Sequence, residues 1–138
     1  MPTKLKTPEK PSRPVVRYHG GKWKIADWIV ANLPPHRVYV EPFGGAASVL
    51  MKKPRAFAEV YNDLDSEMVN LFRTVRDRGG ELAEKLRLTP FAREEFDMAW
   101  LPCEDPLERA RRTVVRSAMG RDSASATTSV KSTFRAYV

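Results

Sequence analysis

The sequence contains a single cysteine, Cys103, among 138 residues. An intrachain disulfide is therefore excluded, as is a thiolate zinc cluster, and a reducing compartment fits. Long apolar runs are missing too: none approaches the roughly 18 residues of a membrane span. The N-terminus carries lysines and prolines but no apolar stretch of the kind a secretory signal needs. From these absences we expect a soluble, cytoplasmic protein without a membrane partner. Internal repeats are absent. So is Gly-x-Gly-x-x-Gly, the turn a nicotinamide dinucleotide site would use.

What is present supports one packed domain. Hydrophobic residues make up 42% of the chain, enough for a core, and the formal net charge is +7. A basic balance favours an acidic partner such as nucleic acid, although many basic proteins bind no polyanion. Residues 1–14 place Lys4, Lys6 and Lys10 among Pro2, Pro8, Pro11 and Pro14 and read as a flexible basic arm. A short extended piece over 15–18 then ends at Gly20-Gly21. Trp23, Ala26, Val30 and Leu33 recur at helical spacing, and Pro34-Pro35 stops that helix.

Two β-prone runs, 38–40 and 56–61, flank a glycine pair, Gly44-Gly45, and a helix expected over 46–53. A polar turn over 62–65 leads to a helix that Ser66 should cap, with Met68, Val69, Phe72 and Val75 on one face. The order is strand, Gly-rich turn, helix, strand, acidic turn, helix. That is a βαβ unit, hence an α/β fold with a parallel sheet and a right-handed crossover.

Past Gly79-Gly80 the pattern turns helical and charged. One short helix is expected over 81–88, another from Thr89-Pro90 to about Trp100. A third starts at Asp105-Pro106-Leu107-Glu108: Asp as N-cap, Pro at the first position, Glu three residues after the cap. It carries Leu107, Ala110, Val114 and Ala118 and should end by Gly120, before a Ser/Thr-rich loop over 121–129. Arg109, Arg111, Arg112, Arg116 and Arg121 make this stretch strongly basic, which fits either phosphate contact or a solvated arginine face.

The chemistry concentrates around the glycine pair. Glycine lets the backbone turn sharply and approach a ligand closely, though a lone pair is more often a plain tight turn. Asp63 follows Gly44 by 19 positions, just past the second β-prone run. A carboxylate there can accept hydrogen bonds from both ribose hydroxyls of an adenosine; it could equally be an ordinary helix cap. Glu41-Pro42 precedes the glycines. A carboxylate beside the pocket suits a cationic sulfonium or ammonium and would repel a pyrophosphate, which argues for S-adenosyl-L-methionine over NAD.

Three ordered motifs carry a resemblance to a family: Tyr18-His19-Gly20-Gly21-Lys22, then 40–48 as Val-Glu-Pro-Phe-Gly-Gly-Ala-Ala-Ser, then Asn62-Asp63-Leu64-Asp65. Over residues 15–77 the chain closely resembles the Dam-like adenine-specific DNA methyltransferases, and the remainder does so loosely through Thr89-Pro90 and Asp105-Pro106. The resemblance implies an incomplete Rossmann-like S-adenosylmethionine-dependent methyltransferase fold, with a helical segment over 79–138 that begins a DNA-recognition region. It implies cofactor contacts from Tyr18, the aromatic beside the cofactor, and from Gly21 and Lys22. Glu41, Phe43 and Gly44 match the loop around the methionine moiety, and Asp63 matches the ribose-binding acid. The implied partner is double-stranded DNA.

One expected motif is missing. The family draws on the hydrogens of the adenine amine with Asp-Pro-Pro-Tyr or a close variant, acting on a base flipped out of the duplex. Here the only Pro-Pro is in Leu33-Pro34-Pro35-His36, where leucine offers no acceptor and the position precedes the glycine loop. No catalytic residue is therefore assigned. The expectation is a cofactor-binding portion of a truncated, frameshifted or split enzyme, with a complementary C-terminal polypeptide as a second partner. Alternatives are a non-catalytic DNA-binding or regulatory module that retains the cofactor fold and, less favoured, a nicotinamide oxidoreductase.

Overall fold

The computed structural model describes residues 10–121 and 133–135. Its sheet forms where the β-branched and aromatic runs predict it: β1 (Val38–Glu41) and β2 (Ala58–Tyr61) pair in parallel. Val38 stands beside Ala58, and Val40 beside Val60. Because alternate side chains point to opposite faces, one face carries Val38, Val40, Ala58 and Val60, and the other carries Tyr39, Glu41, Glu59 and Tyr61.

The inner face is the polar one. Glu41 Oε1 accepts from the Tyr39 hydroxyl at 2.8 Å and from the Leu50 N–H at 2.9 Å. Lys53, fully buried at its ammonium end, pairs with Glu59. The Tyr61 hydroxyl donates to the Gly45 carbonyl at 2.7 Å, and its ring meets Phe72 edge-on. The apolar face points outward, with Val38, Val40 and Val60 about half exposed.

Two short helices lie beside the strands. α1 (Ala26–Ala31) buries Ala26 and packs on α2 (Ser48–Lys52), which connects the strands. Asp27 of α1 pairs with Lys52 of α2, whose ammonium sits 4.7 Å over the Trp23 ring. The expected helix thus shortens at both ends, and Trp23 and Leu33 flank it.

The helical half is larger. α3 (Ser66–Arg87), α4 (Arg93–Met98) and α5 (Pro106–Met119) follow in order. The α5 cap is the expected one: Asp105 accepts from the Glu108 N–H at 3.0 Å, with Pro106 in the first turn. The α3 cap differs from expectation. Asp65, not Ser66, accepts from the Glu67 N–H at 3.0 Å, since a carboxylate at the preceding extended residue reaches that donor.

The break expected at Gly79-Gly80 is present: α3 consists of two helices that meet across a kink. The kink falls at Arg78 (φ −139°, ψ 33°), just before the glycine pair. Two glycines cost a helix roughly 1 kcal/mol each, but Leu82 and Leu86 beyond them pack into the same core as Met68 and Leu71. The faces also shift. On α3 the core residues are Met68 and Leu71, while Val75 is exposed; on α5, Val115 and Met119 are buried and Ala118 is exposed.

One apolar cluster joins Val16 and Ala46 to Met68, Leu71 and Leu82 of α3 and to Leu107 and Ala110 of α5. A second joins Phe96, Ala99, Val115 and Met119, with Phe134 packed on it and Gly120 bridged to Phe134. Residues 1–9 of the basic arm expected over 1–14, and residues 122–129 of the Ser/Thr loop expected over 121–129, lie outside the described residues.

Candidate functional site

The connection from β1 to α2 forms a tight structure for reasons internal to the chain. Gly45 has φ +50° and Ala47 φ +53°, so the backbone turns twice through the left-handed region. A Cβ on Gly44 would collide with the Tyr61 ring, and one on Gly45 would lie 2.8 Å from the Tyr18 ring. Both glycines are thus required by aromatic neighbours. Asp63 fastens the turn, with one carboxylate oxygen accepting from the Gly45 N–H at 2.8 Å and the other from the Asp65 N–H at 2.9 Å. Each oxygen keeps a second lone pair.

In front of this turn lies a pocket of about 640 Å3, within the range of small-molecule sites. Tyr18, Gly21, Lys22, Glu41, Phe43 and Gly44, six of the seven site residues expected from sequence, line it. The seventh, Asp63, is not in the lining; it stands behind the turn and reaches the site through Gly45. Lys22 donates to the Gly20 carbonyl at 3.2 Å, and Phe43 is largely exposed.

Glu41 and Lys22 are the charged residues of the lining, and the groups beside it are partly desolvated. Burial raises the Tyr18 and Tyr61 hydroxyls above the ordinary tyrosine range, and the charge of Asp63 adds to both shifts. Tyr39 rises as well, through burial and then its hydrogen bond to Glu41. Asp65 is raised by burial, and its Oδ2 is a buried acceptor without a hydrogen-bond partner. Glu41 uses Oε1 for both of its internal hydrogen bonds, which leaves Oε2 for a ligand. No group of three or more His, Cys, Asp or Glu residues among the described residues could hold a metal ion.

Sequence reasoning missed Tyr39 and Tyr61. The signal was available: both sit on the same strand face as Glu41, at alternate positions of β-prone runs flanking the glycines. It also misplaced the arginines. Arg109 pairs with Glu67 at 2.6 Å, Arg111 with Glu95 and Glu108, and Arg112 with Glu108. These side chains are largely buried inside the helical half, so they form neither a solvated face nor a free phosphate-binding row. Arg121 alone of the five is exposed.

Comparison with known proteins decides the family. A model of the D12 class N6 adenine-specific DNA methyltransferases matches residues 18–104. The chain belongs to this family. The chain is 30% identical over 112 residues to the DNA adenine methylase of Escherichia coli K12, covering 73% of this chain and 38% of that protein. A DNA adenine methylase of Serratia marcescens is 33% identical over 88 residues, 64% of this chain and 32% of that protein. The D12 family match thus contains the glycine turn, the pocket and Asp63, while the chain spans about 38% of the length of relatives such as the Escherichia coli methylase. No helix among the described residues is long and apolar enough to cross a membrane.

Proposed function

We propose that this chain holds S-adenosyl-L-methionine for methylation of the exocyclic amine of adenine at specific sites in double-stranded DNA. The observation that carries the reading is the Glu41 carboxylate in a glycine-lined pocket, with one oxygen committed to the fold and one left over. That donor set suits a ligand with a cationic end and an adenosine end. The βαβ unit is then the opening of a Rossmann-like methyltransferase fold. Residues 15–78 form its donor-binding part, and residues 79–138 begin the DNA-recognition part.

In this reading Glu41, Phe43 and Gly44 border the methionine end, Tyr18 packs beside the cofactor with Gly21 and Lys22, and Asp63 serves the ribose end. Asp63 acts there both by accepting hydroxyl hydrogens and by holding Gly45. S-adenosylmethionine, when bound, supplies a methyl group on positively charged sulfur. The chain's own residues orient that ligand and lower the cost of its charge in a partly dry pocket. The adenine side needs acceptors for the amine's hydrogens, and the sequence contains no Asp-Pro-Pro-Tyr to supply them. A complementary polypeptide bringing that motif would also cover the outward sheet face of Val38 and Val60.

Titration with S-adenosylmethionine and with NAD tests the donor assignment. Binding of the first and not the second is expected; equal binding or none of either overturns it. The missing acceptor motif also favours a second reading, a non-catalytic module that retains the cofactor fold. A methyl-transfer assay on adenine-containing DNA, with and without a polypeptide carrying the acceptor motif, separates the two. Transfer only in the presence of that polypeptide supports the first.

A further inference from the structure

Residues 14–21 belong to no helix or strand, yet they carry Tyr18 into the glycine-lined pocket. Tyr18 is placed between two glycine turns. Its carbonyl accepts from the Gly21 N–H at 2.9 Å, beside Gly20 at φ +74°. Its ring closes on the second turn, where a Cβ on Gly45 would lie 2.8 Å away. Val16 anchors the segment by burial in the cluster shared with α3 and α5. Apolar burial has no direction, so it leaves the orientation of the next residues open.

Direction comes from the last turn of α5, 100 residues away. Ser117 is 2% exposed, and its hydroxyl grips a single backbone residue twice. It accepts from the Arg17 N–H at 2.8 Å and donates to the Arg17 carbonyl at 3.0 Å. A hydroxyl can serve in both roles at once. The Arg17 side chain completes the hold. Its Nη2 donates to the Ser117 carbonyl at 2.9 Å and to the Gly120 carbonyl at 2.8 Å, and its Nε to the Ser117 carbonyl at 3.3 Å. The last carbonyls of a helix lack intrahelical donors and form the negative end of its dipole, which favours a cation there. The Arg121 N–H, which would have continued the helix to Ser117, donates instead to the Thr133 carbonyl at 2.9 Å.

We propose that Ser117 and Arg17 are positioning residues for methyl-donor binding: the end of α5 holds residue 17, and thereby sets Tyr18 against Gly45 as one wall of the pocket. This role rests on the reading of that pocket as the S-adenosylmethionine site. It ties the donor-binding part of the chain to the helix that leads towards the proposed DNA-recognition part.

The test is calorimetric titration of the full chain with S-adenosylmethionine, with thermal unfolding recorded for every variant. Ser117→Ala removes the hydroxyl, and Arg17→Met removes the guanidinium. Val115→Ala is the control. Val115 is a buried residue of the same helix that packs with Phe96 and Met119, and its truncation loosens α5 without touching Arg17. Ser117→Ala and Arg17→Met should each weaken the donor about threefold or more, while Val115→Ala leaves affinity unchanged. In a Tyr18→Ala background the Ser117→Ala effect should vanish, because residues acting through one another are not additive. Should Val115→Ala unfold, the Tyr18→Ala background decides; should Tyr18→Ala bind too weakly to measure, Val115→Ala decides. An equal loss in Val115→Ala, or an undiminished loss beside Tyr18→Ala, overturns the proposal in favour of a purely structural contact. Donor binding that ignores both Ser117→Ala and Arg17→Met overturns this role and leaves the donor assignment standing. No binding by the native chain overturns the donor assignment and this role with it.

Discussion

The two halves of the molecule bury opposite kinds of surface. In the helical half Met68, Leu71, Phe96 and Ala110 are almost wholly buried, and Arg109, Arg111 and Arg112 of α5 find carboxylates within the fold. In the sheet half the inner face holds Tyr39, Glu41, Glu59 and Tyr61, while Val38, Val40 and Val60 face outward beside an 80% exposed Phe57. The helical half therefore supplies stability from its own contacts. The sheet half spends its inner contacts on shaping a pocket and leaves its apolar surface for something else to cover.

Substitutions on the two sides should separate this most strongly. Leu71→Ala, at a fully buried site, should cost about 2–5 kcal/mol in denaturant unfolding. Val38→Thr on the outward sheet face should change stability by less than about 0.5 kcal/mol. Comparable costs at both positions would break the comparison.

Gly44→Ala tests the pocket's dependence on its aromatic neighbours. The added methyl must displace the Tyr61 ring, at about 1–3 kcal/mol, and S-adenosylmethionine affinity should fall with it. An unchanged midpoint and affinity would mean that the turn is looser than its geometry.

Acid should weaken the helical half in a defined window. Hydrogen bonds from Arg111, then Arg112, hold the Glu108 carboxyl down at about 2, against an unfolded value of about 4.3. A depressed carboxyl stabilises the fold above its unfolded value and loses that contribution as pH falls towards its folded one. Glu108→Gln should therefore flatten the pH dependence of unfolding between about 4.3 and 2, followed by far-UV circular dichroism. A small gain in stability is expected in α3. A Cβ on Gly80 meets nothing within 4 Å, so Gly80→Ala should stabilise the helix by about 0.5–1 kcal/mol.

The features legible in the sequence were those set by local chemistry. β-branched runs marked both strands, Asp105-Pro106 marked the start of α5, and the glycine pair marked the pocket. What escaped was set at a distance. The kink beside Gly79-Gly80 is local and legible, while the packing of Leu82 and Leu86 beyond it into the core of Met68 and Leu71 is not. The arginine run implied exposure because its acidic partners Glu67 and Glu95 lie on other helices. The position of Asp63 in the sequence suggests a ligand contact, while its hold on the Gly45 N–H needs the folded turn to be seen.

The central claim is that Glu41 faces a cation in the pocket. Calorimetric titration of the native chain and of Glu41→Gln with S-adenosylmethionine and with adenosine tests it most directly. Glutamine keeps the oxygen that accepts from Tyr39 and Leu50, so the fold should persist. S-adenosylmethionine affinity should fall by about tenfold or more, with adenosine affinity unchanged. Equal affinities of native chain and variant for S-adenosylmethionine would contradict the account.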